Sequence, residues 1–459
     1  MNIAEHLGNY ASTFRYADLD DRVILETKNR LLDSFGCAIG AFDAPPVKAV
    51  RRIVEQNYSA KAATVLGTTH KTTPDMATFV NGLMVRYFDF NDHYRTKEGA
   101  HPSDNIAACL AIAEMKHKSG KDLLAAIVLA YEINCRLCDS AAMYTKGWDA
   151  VNYYLVASAL ASGWLLGLSK DKLTQSVNIS LNSHLATKQT RTGVLSNWKA
   201  CASPNAARNA VFSALLARGG ITGPSPVFEG ERGFFRLVTG PFGLDMDTFG
   251  GRGKPFGLVD TTVKYYPAEA HTQTAISAAL EARKEVNSPD DIVSIIVETQ
   301  AGGYRECFSV LAGGEKWAPT TKEAADHCLP YIVGMALLEG KLDNSTYSQR
   351  NLKSKQNLDF IKKIQVMEDP ALTAMYPKGI PNRVTLKLKD GRVIAKQGDY
   401  PKGHRLNPLT SEEIALKFRT LTRKCFSSRQ AERITDFIWT LEQQGEVSKL
   451  MKLCTIKRG

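Results

Sequence analysis

Ser119-Gly120-Lys121-Asp122-Leu123-Leu124-Ala125-Ala126-Ile127-Val128-Leu129-Ala130-Tyr131 is the stretch whose reading decides the fold. Ser119 stands ahead of the run, and Leu124, Ile127, Val128 and Tyr131 recur at helical spacing. Upstream, Ser103 or Asp104 is placed to cap a helix carrying Ile106, Leu110 and Ile112. Downstream, Tyr154 to Leu168 reads as another apolar helix ending near Gly167, and Ser169 opens the next. Ala157, Ser158, Ala159, Ala161, Ser162 and Gly163 let helices approach closely. Apolar helices joined by short loops predict a buried bundle over about the first 265 residues.

The pattern changes near residue 266. His271 to Val286 reads as a helix and Ile292 to Glu298 as a strand. Val384 to Leu388 alternates with period two, and Asp390-Gly391 marks a hairpin turn before Arg392-Val393-Ile394. Thr320 with Glu323 predicts a capping box for a helix running to Leu338. The expected fold is mainly α: a large all-helical domain from 1–265 with 401–459, and a smaller α/β domain over 266–400.

With 44% hydrophobic and 23% charged residues, the 459-residue chain has the composition of an ordinary globular protein. No stretch approaches 18 consecutive apolar residues, so no membrane-spanning helix is expected. Met1 to His6 lacks a basic region followed by an apolar run, so the expectation is a cytoplasmic chain. Nine scattered cysteines point to free thiols. Cys135 and Cys138 form one isolated Cys-x-x-Cys, with Cys109 and Cys201 the further cysteines an iron–sulfur site would call on. Structural metal sites usually pair such motifs, so no metal is expected. The net charge of +11 suits anionic metabolites, and no basic run or aromatic interleaving supports nucleic-acid binding.

Absent motifs narrow the chemistry. There is no phosphate loop, no Gly-x-Gly-x-x-Gly after a strand, no Gly-x-Ser-x-Gly and no His-Glu-x-x-His. The densest polar cluster is Asp89-Phe90-Asn91-Asp92-His93-Tyr94, then Glu98 and His101-Pro102-Ser103-Asp104-Asn105. It reads either as a solvated loop or as a site in which His101 and Ser103 precede a helix start suited to a carboxylate. Lys264-Tyr265-Tyr266-Pro267-Ala268-Glu269-Ala270-His271 falls at the inferred domain junction, where pockets form. Its bland reading is a capping Glu269 beside a surface His271. Thr187 to Gly193, with Arg191, and Ser196-Asn197-Trp198-Lys199 read as basic loops suited to carboxylates.

Together, and in this order, these clusters resemble the MmgE/PrpD family. The resemblance runs from Leu32-Asp33-Ser34-Phe35-Gly36-Cys37-Ala38 through Asn81-Gly82, Asp89-Phe90-Asn91-Asp92, His101-Pro102-Ser103-Asp104-Asn105 and Trp198-Lys199-Ala200. It continues through Asn205 to Ala210, Ile221-Thr222-Gly223-Pro224, Phe228 to Glu231, Tyr266 to His271, Asp326-His327-Cys328-Leu329-Pro330-Tyr331 and Tyr400-Pro401-Lys402-Gly403-His404.

The resemblance implies a helical domain with an α/β lid, a homodimer, and metal-free chemistry at a carbon next to a carboxylate of a small polycarboxylate. Within the family the Asn91-to-His101 spacing and the Pro267-Ala268-Glu269-Ala270-His271 motif look most like the 2-methylcitrate dehydratases. Decarboxylation of cis-aconitate, epimerisation of an iminodisuccinate type, or a non-catalytic paralogue are the alternatives.

By the same resemblance, Asp89, His101, Lys199 and the Glu269/His271 segment match active-site positions. His101 and His271 are expected to transfer protons, with Asp89 orienting a histidine and Lys199 neutralising an enolate-like carboxylate. Asn91, Asp92, Tyr94, Ser103, Arg191 and Glu269 are expected to bind substrate. One departure stands out: where dehydratase-like members carry a histidine after Gly-x-Asp, Gly147-Trp148-Asp149 is followed by Ala150. Tyr153, three residues on, is the expected substitute in the pocket.

Overall fold

The computed structural model of the chain describes residues 1–56, 59, 62–193, 195–251, 253–309 and 317–457. The protein is mainly helical, and its described residues build two large apolar cores. Among the described residues no helix is long and apolar enough to cross a membrane.

The first core is packed from α1 (Asp21–Gly40), α2 (Pro74–Arg86), α3 (Ile106–Met115), α4 (Gly120–Ser140), α5 (Asn152–Leu165), α6 (Lys170–Ser183) and α7 (Trp198–Arg218). In α4, Ser119 and Asp122 close a reciprocal capping box, and the helix is buried almost all round from Leu123 to Cys135. Gly82 of α2 lies against Pro204 of α7, where an added Cβ would come within 2.8 Å of the proline side chain. Only glycine allows these two helices so close together.

The second core contains α8 (Gln273–Arg283), α9 (Ala301–Cys307) and α10 (Leu329–Glu339). They accompany a four-stranded sheet of β1 (Ile292–Thr299), β2 (Ile364–Glu368), β3 (Asn382–Leu388) and β4 (Val393–Gly398). The strand order is β2-β1-β3-β4, with β2 parallel to β1 and the other pairs antiparallel. Val384, Leu386 and Leu388 are buried on one face, as the alternation requires, and Gly391 turns the hairpin at φ 88°. Finally α11 (Ser411–Thr422) returns to the first core, where Ile414 and Phe418 join Leu31 and Phe35.

Three local expectations are corrected. Neither Ser103 nor Asp104 caps α3: Pro102–Asn105 forms a 3-10 turn running straight into it, because Pro102 presets the first helical φ. The helix expected from Thr320 to Leu338 is capped by Thr321 and stops at Ala325; α10 begins at Leu329. A continuous helix needs an N–H from residue 330 to the Asp326 carbonyl, and Pro330 has none. The freed Asp326 carbonyl accepts from Glu269 N at 2.9 Å instead. Lys199 lies in the first turn of α7, buried, and not in a polar loop.

Candidate active site

The polar cluster after α2 is folded inward. A hairpin of two-residue strands pairs Tyr94 with Ala100 and Arg95 with Gly99, so Asp89 and His101 arrive side by side. Asp89 itself has φ +52°, a left-handed conformation that is uncommon outside glycine and costs on the order of 1 kcal/mol or more. Such strain persists where surroundings hold it, and here they are cationic. Arg86 pairs with Asp89 Oδ1, Lys264 Nζ reaches its carbonyl at 2.8 Å and its Oδ1 at 3.0 Å, and His327 Nε2 lies 3.5 Å from Oδ2. Burial acts to raise the Asp89 pKa. Arg86, Lys264, Lys199 and His327 overcome it and hold the carboxyl well below the usual range.

His101 stands beside this centre. Its Nδ1 is 2.6 Å from the Asp92 carbonyl and its Nε2 is 3.1 Å from Arg86 Nη2. Asp89 Oδ1 is 3.9 Å from Nε2, so the Asp92 carbonyl, and not Asp89, orients the ring. The loop is pinned through Asp92, whose carboxylate accepts from Ser103 N and from Tyr131 OH. Burial, then Arg86 and Lys264, hold the His101 pKa well below the ordinary value, so the ring is neutral.

The second core supplies the opposite wall. Glu269 pairs with Arg95 at 2.8 Å and accepts from His271 N. Burial opposes its ionisation, but His271 and Arg95 keep its carboxyl below the ordinary range. Burial lowers His271 to a pKa of about 4. Burial also lowers Lys264 to about 8, although Asp89 pulls it back up.

These groups line a cleft of about 270 Å³ between the two cores. Seven cationic side chains, Arg86, Arg95, Lys97, Lys188, Arg191, Lys264 and Arg305, face five carboxylates there. His101, His271, His327, Thr96, Tyr144, Tyr154 and Tyr376 complete its polar lining, and Ala150 and Val151 form an apolar stretch. An anion of two or three charges is the ligand this surplus favours.

Of the residues singled out in the sequence, Asp89, His101, Glu269, His271 and Arg191 line the cleft. Asn91, Asp92, Tyr94, Ser103, Tyr153 and Lys199 do not. Asn91 is buried behind it, donating to Ser103 Oγ and Asp104 Oδ1. Tyr94 OH donates to Asp139 at 2.9 Å. Tyr153 points away and donates to the Ala141 carbonyl at 2.8 Å. Lys199 Nζ is 2.8 Å from Asp326 and 3.0 Å from His327 Nδ1, one layer behind Asp89.

Arg86, Arg95, Lys264, His327 and Tyr154 were missed as site residues. Lys264 and His327 stood inside quoted motifs, but no spacing marks them, since Asp326 meets Lys199 across 127 positions.

Asp89, Asp326 and His327 bring three potential metal donors within 4.8 Å of one another. Their oxygens already serve ammonium and guanidinium groups, including Lys322 at 2.6 Å from Asp326. That surrounding positive charge suits an anion and opposes a divalent cation. All nine cysteines are free thiols, and burial pushes Cys135 and Cys138 well above the ordinary thiol range.

Comparison with known proteins identifies the family. The MmgE/PrpD N-terminal domain model matches residues 5–247 and the MmgE/PrpD C-terminal domain model matches residues 266–443. A 2-methylcitrate dehydratase of Cupriavidus necator is 30% identical over 89% of this chain and 87% of its own length. That of Salmonella typhimurium is 28% identical over 95% and 92%. An alkylcitrate dehydratase from a fungal species is 26% identical over 95% and 89%. With both domain models matched in order across the length of the chain, the protein belongs to the MmgE/PrpD family of enzymes.

Proposed function

We propose that the chain is a hydro-lyase that removes water from 2-methylcitrate to give 2-methyl-cis-aconitate, with no metal taking part. The observation that carries this reading is the cleft itself: a surplus of cations around a neutral His101 and a Lys264 ammonium. The dehydratase names of the relatives supply the substrate class.

In the proposed reaction Arg95, Arg191 and Lys188 bind carboxylates and Arg86 faces the charge that builds next to the reacting carbon. His101 Nε2 takes the proton next to that carboxylate. The C–H electron pair becomes the double bond, and the C–O pair leaves with the hydroxyl. The Lys264 ammonium supplies the proton that makes it water. Imidazolium at His101, disfavoured by burial, then returns a proton to Lys264 and resets both groups. A positioned proton donor or acceptor contributes about 10²–10⁴-fold, and charge stabilisation away from water contributes more. Residues 266–400 act as the lid over this site.

The test is a panel of 2-methylcitrate, citrate and cis-aconitate, with and without a chelator. Absorbance of the conjugated product is expected on 2-methylcitrate, unchanged by EDTA. Release of CO₂ from cis-aconitate without dehydration, or rescue of a chelated enzyme by iron or magnesium, would overturn the proposal. A second reading rests on Ala150, which lines the cleft with a methyl group only. The space favours a citrate with a longer alkyl arm, and Ala150→His would then lower activity on that substrate more than on 2-methylcitrate.

A further inference from the structure

Gln300 is fully buried at the cap of α9. Its Oε1 accepts the Gly302 N–H at 2.6 Å. A backbone N–H only donates, so the atom facing it is the amide oxygen, and the other end of the side chain is the NH2 group. That nitrogen lies 2.6 Å from His271 Nδ1. An amide NH2 has donors and no accepting lone pair. His271 Nδ1 is therefore the bare nitrogen, and the single ring proton of the neutral imidazole sits on Nε2. Among the described residues Nε2 has no hydrogen-bond partner, and the ring lines the cleft.

His101 is set the other way. The Asp92 carbonyl beside its Nδ1 only accepts, so that nitrogen carries the proton. Arg86 beside its Nε2 only donates, so that nitrogen carries the lone pair. Both neighbours demand the same tautomer. Asp92 is held by Ser103 and Tyr131, and Arg86 is tethered through Nη1 to Asp89; an entering carboxylate draws the Arg86 Nη2 donor off His101 Nε2 and frees that lone pair for the substrate proton.

We infer that His101 and His271 are locked in opposite tautomers across one cleft, and that Gln300 is the positioning residue that fixes His271 as an N–H donor. Resting on the proposed dehydration, this separates their roles. His101 Nε2 receives the substrate proton. His271 Nε2–H stays put and donates a hydrogen bond to the departing hydroxyl, whose developing negative charge it steadies. The proton itself comes from Lys264, so His271 never has to become an anion.

The experiment is a proton–nitrogen correlation spectrum of the full chain labelled with ¹⁵N-histidine, taken at pH 8, where both rings are neutral. His101→Gln and His271→Gln assign the ring signals by their loss. The expected pattern is a proton on Nε2 of His271 and on Nδ1 of His101. Gln300→Glu replaces the donor by an acceptor and is expected to place a proton on His271 Nδ1. With it kcat should fall at least ~10²-fold while KM stays within about threefold. Gln300→Met removes the bond without imposing another, and should give mixed tautomers with a smaller fall. A wild-type His271 protonated on Nδ1, or two rings in the same tautomer, overturns the inference; should Gln300→Glu not fold, the wild-type spectrum decides. The expected tautomers with no dehydration of any citrate would sink the proposed reaction and leave the assignment of the ring protons standing.

Discussion

Tyr153 and Tyr154 are neighbours in the chain and face different surroundings. Spacing pointed to Tyr153, three residues after Ala150, on the rule that such residues share a helix face. The rule fails here because α5 begins only at Asn152, and Asp149 to Val151 form the turn before it. Tyr154 lines the cleft instead, and its hydroxyl accepts from His101 N at 2.8 Å. Tyr154→Phe leaves that buried N–H unsatisfied, at a cost of about 1–3 kcal/mol, and frees the histidine loop. Its kcat is expected to fall at least ~10-fold, whereas Tyr153→Phe should shift the melting temperature and leave kcat near wild type. The opposite ranking would restore Tyr153 to the site. Lys264 gives a second test at this scale. Its burial-lowered pKa of about 8 means the ammonium loses its proton as pH rises through that value. Since the proton is what the proposed step consumes, kcat should decline above about pH 8. Lys264→Arg keeps the charge but releases no proton at these values, so kcat should drop at least ~10²-fold with KM little changed. Near-normal turnover in the arginine variant would make Lys264 a charge and nothing more.

Elements bring these residues together in ways that local patterns only partly reveal. The capping box of α4 and the β3–β4 hairpin are written in adjacent residues, and the structure has both. The break at Asp326 to Cys328 was legible in principle from Pro330, but the neighbouring Thr and Glu suggested continuity. The role of α11 had no local signal at all. Its Lys417 pairs with Asp33 of α1 at 2.6 Å and donates to the carbonyls of Phe90 and Lys264 at 2.8 Å each. One amine of α11 thus fixes the backbone next to Asp89 and at Lys264, on one wall of the cleft. Burial pushes the Asp33 carboxyl up despite that contact. Removing Lys417 leaves a buried carboxyl unpaired, and Lys417→Met is expected to cost about 3–5 kcal/mol. Asp33→Asn combined with Lys417→Met should recover part of that stability but not the activity, because the two carbonyls remain unheld. Urea unfolding of the three variants, with kcat for each, checks both halves; equal activity in the double variant and wild type would remove α11 from the site.

At the scale of the whole molecule, the two apolar cores meet across a seam rich in buried ionisable groups. The change of period near residue 266 revealed the two cores, but the seam is made of pairs far apart in the chain, such as Arg95 with Glu269. Its titration should govern acid stability. His93, His101, His271 and His327 are all held below the ordinary histidine pKa, first by burial in each case. An unfolded histidine takes a proton near pH 6.5, while folded His271 waits until about 4. Between those values the unfolded chain binds more protons, so stability rises with pH and is lost as pH falls. Each such ring contributes a slope of up to about 1.4 kcal/mol per pH unit. Asp104, raised by burial to about 6, and Asp33, Glu98 and Glu132, also raised by burial, work in the opposite direction where they titrate and offset part of that slope. Asp89, Glu269 and Asp326 are held low, so their losses begin as pH enters the ordinary carboxylate range at about 4, below the histidine window, and continue beneath it. Urea midpoints at pH 7.5, 6 and 5 should therefore fall between 7.5 and 6, where the rings act before Asp104 takes up its proton, and change less below that. Both ring nitrogens of His93 lack hydrogen-bond partners among the described residues, which makes it the ring to remove. His93→Leu is expected to flatten the slope by one ring's share, about 1.4 kcal/mol per pH unit. A flat wild-type profile from pH 7.5 to 6, unchanged by His93→Leu, would mean that the buried rings already carry protons in the folded chain, and with them the neutral His101 that the proposed chemistry requires would be lost.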